Sequence, residues 1–373
     1  MTQKKLRIGL VFGGRSAEHE VSVGSAISAM SHLDKNTYEV VPLAITKEGS
    51  WLLGVEPAKL LAAEQSTSHI EGWEQTQAVT LTGDPTVGRL IPVQNGAQIG
   101  ASGALDVIFP VLHGTYGEDG TLQGLLEMAN VPYVGCGVLG SALGMDKEKT
   151  KMVLQAAGLP IVDSLTYRRR QWERSPEPIL DAAEQRFGYP CFVKPVNLGS
   201  SVGVTRAHNR SELAQAINVA AEYDSKILIE RAVDCRELAC AVLGNDEPVA
   251  SAIGEIISNN EFFDYNAKYV DKKMRMVIPA DIPQVLAEDL RRQAIQAFLA
   301  LDLNGLARVD FFLDKKTGQT YLNEVNTMPG FTQMSQYPKL WAASGLSYPQ
   351  LLDRLIELAL ERHEERQRNR TNL

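Results

Sequence analysis

The chain has 373 residues, too many for one ordinary hydrophobic core, so its length predicts two or three domains. Its formal net charge of −8 argues against a nucleic-acid partner, because a polyanion is bound by a basic face. No apolar run reaches the roughly 18 residues of a membrane span, so we expect no membrane partner. The cysteines lack the spacing of a disulfide framework or a zinc site, and we expect a cytoplasmic protein.

The first predicted elements form a parallel α/β layer. The apolar run LRIGLVF, residues 6–12, predicts a strand that ends in a glycine turn, and a helical pattern of small residues follows. Further strands are predicted at YEVVPLAI and LDVIFPVLHG. Ligands of such layers gather at the carboxyl ends of the strands, where Glu18, His113 and Glu118 fall. The polar residues 54–100 predict an irregular surface excursion without a catalytic role.

Gly135, Gly137 and Gly140 have the spacing GxGxxG, which also occurs in dinucleotide-binding proteins. Such a site would need an acidic residue about 20 positions later, at the end of the next strand, and Asp163 is only a loose candidate. The spacing therefore favours a packed junction between a strand and a helix. The helix that follows carries three lysines, each interpreted as solvated when taken alone: Lys147, Lys149 and Lys151.

A glycine-serine turn follows the predicted strand CFVKP, at residues 197–201. Lys194 stands near the end of that strand, and a new strand is predicted to begin at residue 202. Backbone N–H groups of such a turn can close over phosphates, and the lysine adds a positive charge. The GxxxxGK[ST] pattern of a Walker loop does not occur here, and an ordinary hairpin is the alternative.

Two acids, Glu230 and Glu237, lie on successive predicted strands, where each could accept a hydrogen bond from a ribose. The aromatic and charged segment EFFDYNAKYVDKKMRMVIP lacks helical or strand periodicity and predicts a long functional loop that contains Lys268 and Tyr269. Helices are predicted at VLAEDLRRQAIQAFLALDL and near SYPQLLDRLIELALERH.

The runs RVDFFL and TYLNEV flank residues 316–318 and predict a hairpin with a three-residue loop. This loop would pair Asp310 with Glu324 and Arg308 with Asn326, and strand alternation places all four side chains on one face. Two carboxylates and an amide oxygen could bind a hard divalent cation, while the guanidinium could neutralise a developing negative charge. The alternative is a solvated hairpin face with a salt bridge.

Seven motifs follow one another in an order that resembles the D-alanine–D-alanine ligases of the ATP-grasp superfamily, over residues 8 to about 358. These motifs are GGRSAEHEVS, HGTYGEDGTLQG, GMDKEKTK, VKPVNLGSSVGV, FFDYNAKY, RVDFFLD and NEVNTMPGFT. The resemblance implies an α/β protein with an ATP-grasp fold preceded by an N-terminal parallel α/β domain. The expected domains are 1–140, 141–225 and 226–373, the last carrying the catalytic centre and an ω-shaped loop.

The implied reaction is ATP-dependent ligation of two D-alanine molecules through an acyl phosphate, for peptidoglycan precursor synthesis. The expected cofactors are ATP and two Mg²⁺ or Mn²⁺ ions, and the expected partners are small molecules, with a homodimer left open. A D-alanine–D-lactate or D-serine ligase of the same superfamily is the alternative, and Tyr269 in the DYNAKY sequence favours an amine as the second nucleophile. A non-catalytic nucleotide-binding module is a further alternative, for which a broken metal-ligand set would be expected.

The resemblance also implies which residues bind each group. ATP would be bound by Lys147, Lys194, Ser200, Ser201, Glu230, Glu237 and Lys268. The amino-acid substrates would be bound by Glu18, Lys268, Arg308, Ser335 and Gln336, the last standing where relatives usually carry an apolar residue. The metal ligands would be Asp310, Glu324 and Asn326.

The implied catalytic residues are Glu18, His113, Ser200, Tyr269, Arg308 and Gly330. Glu18 matches the acid that holds the ammonium group of the first substrate. Arg308, with the backbone N–H of Gly330, matches the group that stabilises a tetrahedral oxyanion. Ser200 and Glu118 match residues that hold the ω-shaped loop closed together with Tyr269. His113 lines the substrate site in this comparison, and whether it moves a proton, positions an amine or is purely structural stays open.

Overall fold

Three β-sheets organise the chain in the computed structural model, which describes residues 4–65, 77–86, 90–93, 104–257 and 275–370. The strands are β1 Leu6–Gly13, β2 Tyr38–Ile45, β3 Trp51–Leu53, β4 Gln77–Leu81, β5 Leu90–Pro92, β6 Val107–Pro110, β7 Ser164–Arg168, β8 Cys191–Pro195, β9 Thr205–Ala207, β10 Lys226–Arg231, β11 Cys235–Gly244, β12 Val249–Ile257, β13 Arg275–Val277, β14 Gly305–Asp314 and β15 Thr320–Asn326. The helices are α1 His19–His32, α2 Pro57–Gln65, α3 Thr121–Met128, α4 Val138–Met145, α5 Lys147–Ala156, α6 Arg169–Arg174, α7 Pro176–Phe187, α8 Arg210–Tyr223, α9 Gln284–Ala300, α10 Gln336–Ala343 and α11 Tyr348–Gln367.

The first sheet has the strand order β5-β4-β3-β2-β1-β6. Both neighbours of β1 are parallel to it, which confirms the predicted parallel layer. The expectation of irregular structure over residues 54–100 was wrong, because α2, β4 and β5 lie there and the two strands extend the sheet in antiparallel fashion. Strand β4 buries Val79 and Leu81 and exposes Thr80, but an alternation of only five residues is a weak signal in a sequence.

The second sheet is antiparallel, with the order β7-β10-β8-β9, and α7 and α8 pack against it over a common core. Strand β9 begins at Thr205 rather than at residue 202 as predicted, because the chain between is a turn. Strand β10 pairs with β7 and β8, so this sheet extends to Arg231, beyond the predicted domain limit at residue 225.

The third sheet is also antiparallel, with the order β13-β12-β11-β14-β15. Its last hairpin pairs Arg308 with Asn326 and Asp310 with Glu324, as predicted, but the three-residue loop was wrong. The N–H of Asp314 donates to the carbonyl of Gln319, which leaves a four-residue loop, and a β-bulge between Asp310 and Phe311 restores the predicted register.

Small residues join the sheets where the GxGxxG spacing occurs. Gly135 has φ of 102°, and a Cβ on Gly140 would lie 2.7 Å from the carbonyl oxygen of Asp302. The predicted packed junction is therefore confirmed: α4 begins there and rests on the turn before β14.

One continuous core joins the first sheet to the C-terminal helices, with Phe12, Val23, Phe331, Tyr337 and Leu355 among its members. The loop between β15 and α10 is thus fixed on both sides, against α1 and against the third sheet. Among the described residues, no helix combines the length and the apolar character needed to cross a membrane.

Candidate active site

The acidic end of the site, which we define as Glu18 and Glu118, lies at the carboxyl ends of β1 and β6. Gly13 has φ of 91°, and a Cβ there would lie 2.2 Å from the carbonyl oxygen of Ile45, so the turn after β1 requires glycine. The chain then enters α1 through Glu18, which is largely buried. The Ser200 hydroxyl donates to the Glu18 carboxylate and so links the glycine-serine turn to the first sheet.

Glu118 accepts a hydrogen bond of 2.8 Å from the N–H of Gly114. Burial, reinforced by the negative charge of Glu18, raises the pKa of Glu118 to about 8, although the Gly114 N–H and the Lys147 ammonium oppose the rise. Glu118 is therefore mostly protonated at pH 7. Two carboxyl groups in one buried place favour a positively charged ligand group, such as an ammonium.

His113 is buried beside the acidic end and has a partner at each ring nitrogen. Nδ1 lies 2.8 Å from the carbonyl oxygen of Met328, which can only accept, so Nδ1 carries the hydrogen. Nε2 lies 3.0 Å from the hydroxyl of Ser25, whose oxygen accepts the N–H of Phe331 at 3.2 Å. Burial lowers the pKa of His113 and keeps the ring neutral. This arrangement favours a positioning role over proton transfer.

The basic end, which we define as Lys151, Lys194 and Glu230, is formed by two strands of the second sheet and by α5. Lys194 stands opposite Leu228, so Glu230, two residues further along β10, is its diagonal neighbour on the same face. The two side chains form a buried ion pair. Lys151 reaches the same carboxylate from α5 at 3.2 Å and also donates to the carbonyl of Val162 at 3.0 Å.

The charges of the basic end decide its protonation. Burial opposes ionisation of Glu230, but Lys194 and Lys151 outweigh it and lower the pKa of Glu230 to about 2. Burial lowers the pKa of Lys151, with Glu230 in partial compensation. Burial alone would also lower the pKa of Lys194, but the carboxylates of Glu230, Glu324 and Glu237 outweigh it, and the pKa is raised. Two cations share one buried carboxylate, which favours an additional anion.

The glycine-serine turn lies between the two ends. Ser200 and Ser201 have φ of 50° and 58°, a left-handed conformation that costs a residue other than glycine roughly 1–3 kcal/mol. Lys147, at the start of α5, donates its ammonium to the carbonyl of Leu198 in this turn. Strain of this kind is retained where the surrounding structure holds it, and it points to a functional turn.

The hairpin of β14 and β15 brings three of its predicted residues into contact. Arg308 donates two hydrogen bonds of 2.7 Å to the two oxygens of Asp310 and lies 3.8 Å from Glu324. The side-chain oxygen of Asn326 accepts the N–H of Met328 at 2.9 Å and so orients the following loop. The pairing across the strands explains this geometry, since residues directly opposite each other share a face.

These residues fit a hard divalent cation by their chemistry. Asp310, Glu324 and Asn326 offer only oxygen donors, and a carboxylate or amide oxygen that accepts one hydrogen bond keeps a second lone pair. Within the described ranges, no three or more His, Cys, Asp or Glu side chains converge as a metal cluster. A cation at this hairpin would therefore complete its coordination with water or ligand oxygens.

The loop after β15 holds the remaining predicted residues. A Cβ on Gly330 would lie 3.3 Å from the Ser335 hydroxyl, so these two positions are adjacent. Ser335 precedes α10 and its hydroxyl accepts the N–H of Thr332 at 3.1 Å, while Gln336 is the first residue of that helix. Lys268 and Tyr269 fall within residues 258–274, outside the described residues, so the predicted functional loop stays a prediction.

Sequence reasoning missed Lys151 and Ser25. Lys147 and Lys151 are four residues apart on α5 and share a face, whereas Lys149 points elsewhere. This spacing is the one feature of the sequence that could have indicated Lys151 as a site residue. Ser25 lies in a helix of small residues, where nothing in the sequence marks it as a partner of His113.

Two antiparallel sheets that carry lysines, acids and a strained turn, preceded by a parallel α/β layer, define the ATP-grasp class of α/β enzymes. The chain belongs to the D-alanine–D-alanine ligase family within that class. The family model for the D-ala D-ala ligase N-terminus matches residues 7–136, and the model for its C-terminus matches residues 153–357.

Similar proteins agree with this assignment along the chain. The D-alanine–D-alanine ligase of Acetivibrio thermocellus is 47% identical over 369 residues, covering 97% of each chain. That of Thermoanaerobacter pseudethanolicus is 50% identical over 368 residues, covering 97% of this chain and 99% of the relative.

Two solved structures are also similar. The D-alanine–D-alanine ligase of Coxiella burnetii has a TM-score of 0.83 and 37% identity, covering 98% of this chain and 97% of the other. The VanG D-Ala:D-Ser ligase of Enterococcus faecalis has a TM-score of 0.84 and 36% identity, covering 95% and 100% respectively.

Proposed function

We propose that this protein ligates two D-alanine molecules to D-alanyl-D-alanine at the expense of ATP, for peptidoglycan precursor synthesis. The carboxylate of the first D-alanine attacks the γ-phosphorus of ATP, and ADP leaves, which gives an acyl phosphate. The amine of the second D-alanine then attacks the acyl carbon, loses a proton and displaces phosphate. The observation that carries the proposal, in a member of this family, is the pairing of an acidic end with a basic end, both within electrostatic reach of Glu324 on the hairpin that carries Arg308.

Each end carries the charge opposite to that of the substrate group that it would bind. The acidic end accommodates the ammonium of the first D-alanine at Glu18, which Ser200 orients by its hydrogen bond. The basic end accommodates phosphates at Lys194, and Lys147 stands beside the turn that would cover them. Arg308, together with the N–H of Gly330, would stabilise the negative charge that develops on the tetrahedral oxygen.

Further assignments complete the proposal. Two Mg²⁺ or Mn²⁺ ions would be held by Asp310, Glu324 and Asn326 and would neutralise phosphate charge when bound. Glu230 and Glu237 would bind the nucleotide, Ser201 the phosphates, and Ser335 and Gln336 the second D-alanine. Lys268, Tyr269 and the remaining residues of 258–274 would cover the site.

We also propose three structural units, with limits near residues 140 and 231, because the second sheet ends with β10. A cytoplasmic location is proposed because the four cysteines are free thiols, as in a reducing compartment.

The test is product identification by mass spectrometry, after incubation with ATP, Mg²⁺ and D-alanine. D-alanyl-D-alanine and ADP are expected in equal amounts, and ADP at the level of an amino-acid-free blank would contradict the proposal. Parallel incubations add D-serine or D-lactate as competitors, since one similar structure is that of a D-Ala:D-Ser ligase. A mixed product in excess over D-alanyl-D-alanine would replace the proposed second substrate.

A further inference from the structure

Lys151 is the member of the basic end to which the proposed chemistry gives no task. Its side chain is 7% exposed, its ammonium donates to the carbonyl of Val162 at 3.0 Å, and it lies 3.2 Å from the Glu230 carboxylate. These two contacts, from a lysine within α5, fix the ammonium behind Glu230. A buried lysine loses its hydration and is retained only where such partners replace it.

Lys194 contacts the same carboxylate but is placed differently. It lies on β8, and its ammonium also experiences the negative charges of Glu324 and Glu237 on the third sheet, so it faces the space between the two sheets. Glu230 therefore has a fixed cation on one side and, on the other, a cation that faces the proposed phosphate position.

We propose that Lys151 is a positioning residue that keeps Glu230 paired when Lys194 leaves that carboxylate for the phosphates of the nucleotide. The inference rests on the proposed function, because it assigns Lys194 to phosphate. In the structure Lys194 is engaged with Glu230, so phosphate binding must compete with a buried ion pair.

The energetic reason is the cost of an uncompensated buried charge. If Lys194 left a carboxylate that had no second partner, Glu230 would stay buried and unpaired, and removing one member of a buried pair is costly. With Lys151 in place, Glu230 retains one ammonium throughout. The shared carboxylate also holds Lys194 less tightly than an exclusive pair would, because the two ammonium groups repel each other.

Comparison of two ligands separates this role from a merely structural one. Adenosine lacks phosphates and does not require Lys194 to move, so Glu230 keeps Lys194 as a partner even without Lys151. The affinity for adenosine should therefore depend little on Lys151. A triphosphate does require the movement. A purely structural lysine, by contrast, would affect both ligands to a similar extent, because its loss would distort the pocket as a whole.

The experiment measures the dissociation constants of the Mg²⁺ complex of adenylyl imidodiphosphate and of adenosine by equilibrium dialysis. The variants are Lys151→Met, Lys151→Arg and, as a matched control on the exposed face of the same helix, Lys149→Met. For Lys151→Met we expect at least about 30-fold weaker triphosphate binding, the lower end for truncating one partner of a buried pair, and less than about 3-fold weaker adenosine binding. Lys151→Arg should recover most of the affinity, and Lys149→Met should bind both ligands as the unchanged protein does.

Equal losses for both ligands, or no loss for the triphosphate, would overturn the inference. If Lys151→Met does not fold, Lys151→Gln, which retains a donor for Val162 without the charge, is measured against the same criterion. The unchanged protein distinguishes the two levels of proposal: absence of ADP formation from D-alanine counts against the function. Normal ADP formation by the unchanged protein, together with unchanged triphosphate binding by Lys151→Met, counts against the role of Lys151 alone.

Discussion

The acidic end and the basic end each bury a glutamate, yet the two carboxyl groups behave in opposite ways. Burial raises the pKa of Glu118 to about 8, with Glu18 as a further negative charge beside it. Burial acts in the same direction on Glu230, but two lysines reverse it and lower the pKa to about 2. The partner, rather than the depth of burial, decides the charge of each end.

This difference separates the two kinds of ligand that the reaction needs. The acidic end offers carboxyl groups to an ammonium, and the basic end offers a surplus ammonium to phosphates. The hairpin connects them electrostatically, since the carboxylate of Glu324 acts on both Lys194 and Glu118. Substitutions that exchange carboxyl for amide should therefore have unequal effects at the two ends.

The largest effect is expected for Glu230→Gln. The substitution leaves Lys151 and Lys194 buried next to each other without an anion, which should lower the free energy of unfolding by about 3–5 kcal/mol. Urea denaturation at pH 7 measures the change, with an unaltered m-value as evidence that the unfolding transition is the same.

Glu118→Gln is the matched control for that substitution. Glu118 is already mostly neutral in the folded protein at pH 7, and an amide keeps the oxygen that accepts the Gly114 N–H, so the substitution should not lower the free energy of unfolding. It should raise it, because an amide removes the free energy of protonating this carboxyl on folding. Equal destabilisation by both substitutions would show that burial alone governs the two carboxyl groups.

The second effect concerns Arg308, which contacts Asp310 and Glu324 on the hairpin. Arg308→Lys keeps the charge but removes the paired hydrogen bonds to Asp310. We expect kcat to fall about 10²- to 10³-fold, as for loss of one oxyanion donor, with a smaller change in KM for ATP. Steady-state ADP release measures both constants, and Arg354→Lys on exposed α11 is the control. A change confined to KM would place Arg308 in binding rather than in catalysis.

The predicted pairing of the hairpin is correct because the structure departs from the prediction at two places that offset each other. The loop has one residue more than predicted, and the bulge beside Asp310 shifts the register back by one. Alternation and pairing are local properties of strands, so Asp310 and Glu324 could be placed opposite each other from their spacing. The bulge depends on packing within the finished sheet and leaves no mark on the residue pattern.

The role of Lys151 could not be predicted from the sequence, for a related reason. Its partner Glu230 is 79 positions away in the chain, on another element. A helix pattern indicates which lysines share a face, but it does not indicate that this face is buried against a carboxylate. His113 could be predicted near the site from its strand end, whereas its link to Ser25 required the packing of α1 against the loop after β15.

The third prediction uses pH to sharpen the comparison. Glu118 has a folded pKa of about 8 against an ordinary value of 4.5, so the folded state binds more protons between these values and stability should fall as pH rises through this window. Glu230 has a folded pKa of about 2, so its stabilisation is present above pH 4.5 and is lost as pH falls below it.

We expect about 3 kcal/mol of stability to be lost between pH 5 and 8, since each unit of pKa shift corresponds to about 1.4 kcal/mol. Denaturation curves at successive pH values measure the slope. In Glu118→Gln the loss over this range should diminish, whereas the loss below pH 4.5 should persist. A slope that Glu118→Gln leaves unchanged would assign the titration to another group.

The smallest effect is expected for Ser25→Ala, at the boundary of the acidic end. The substitution removes the acceptor of the Phe331 N–H and the donor to Nε2 of His113, both of which are buried. An unsatisfied buried donor costs about 1–3 kcal/mol, and relaxation of the loop should keep the loss in unfolding free energy near 1 kcal/mol. Because His113 and Phe331 hold the loop that carries Gly330, KM for the second D-alanine should rise several-fold while KM for ATP stays constant. Ser31→Ala, on an exposed position of the same helix, is the control. An equal rise in both KM values would mean that Ser25 supports the fold as a whole, since a specific role at the acidic end must leave the basic end undisturbed.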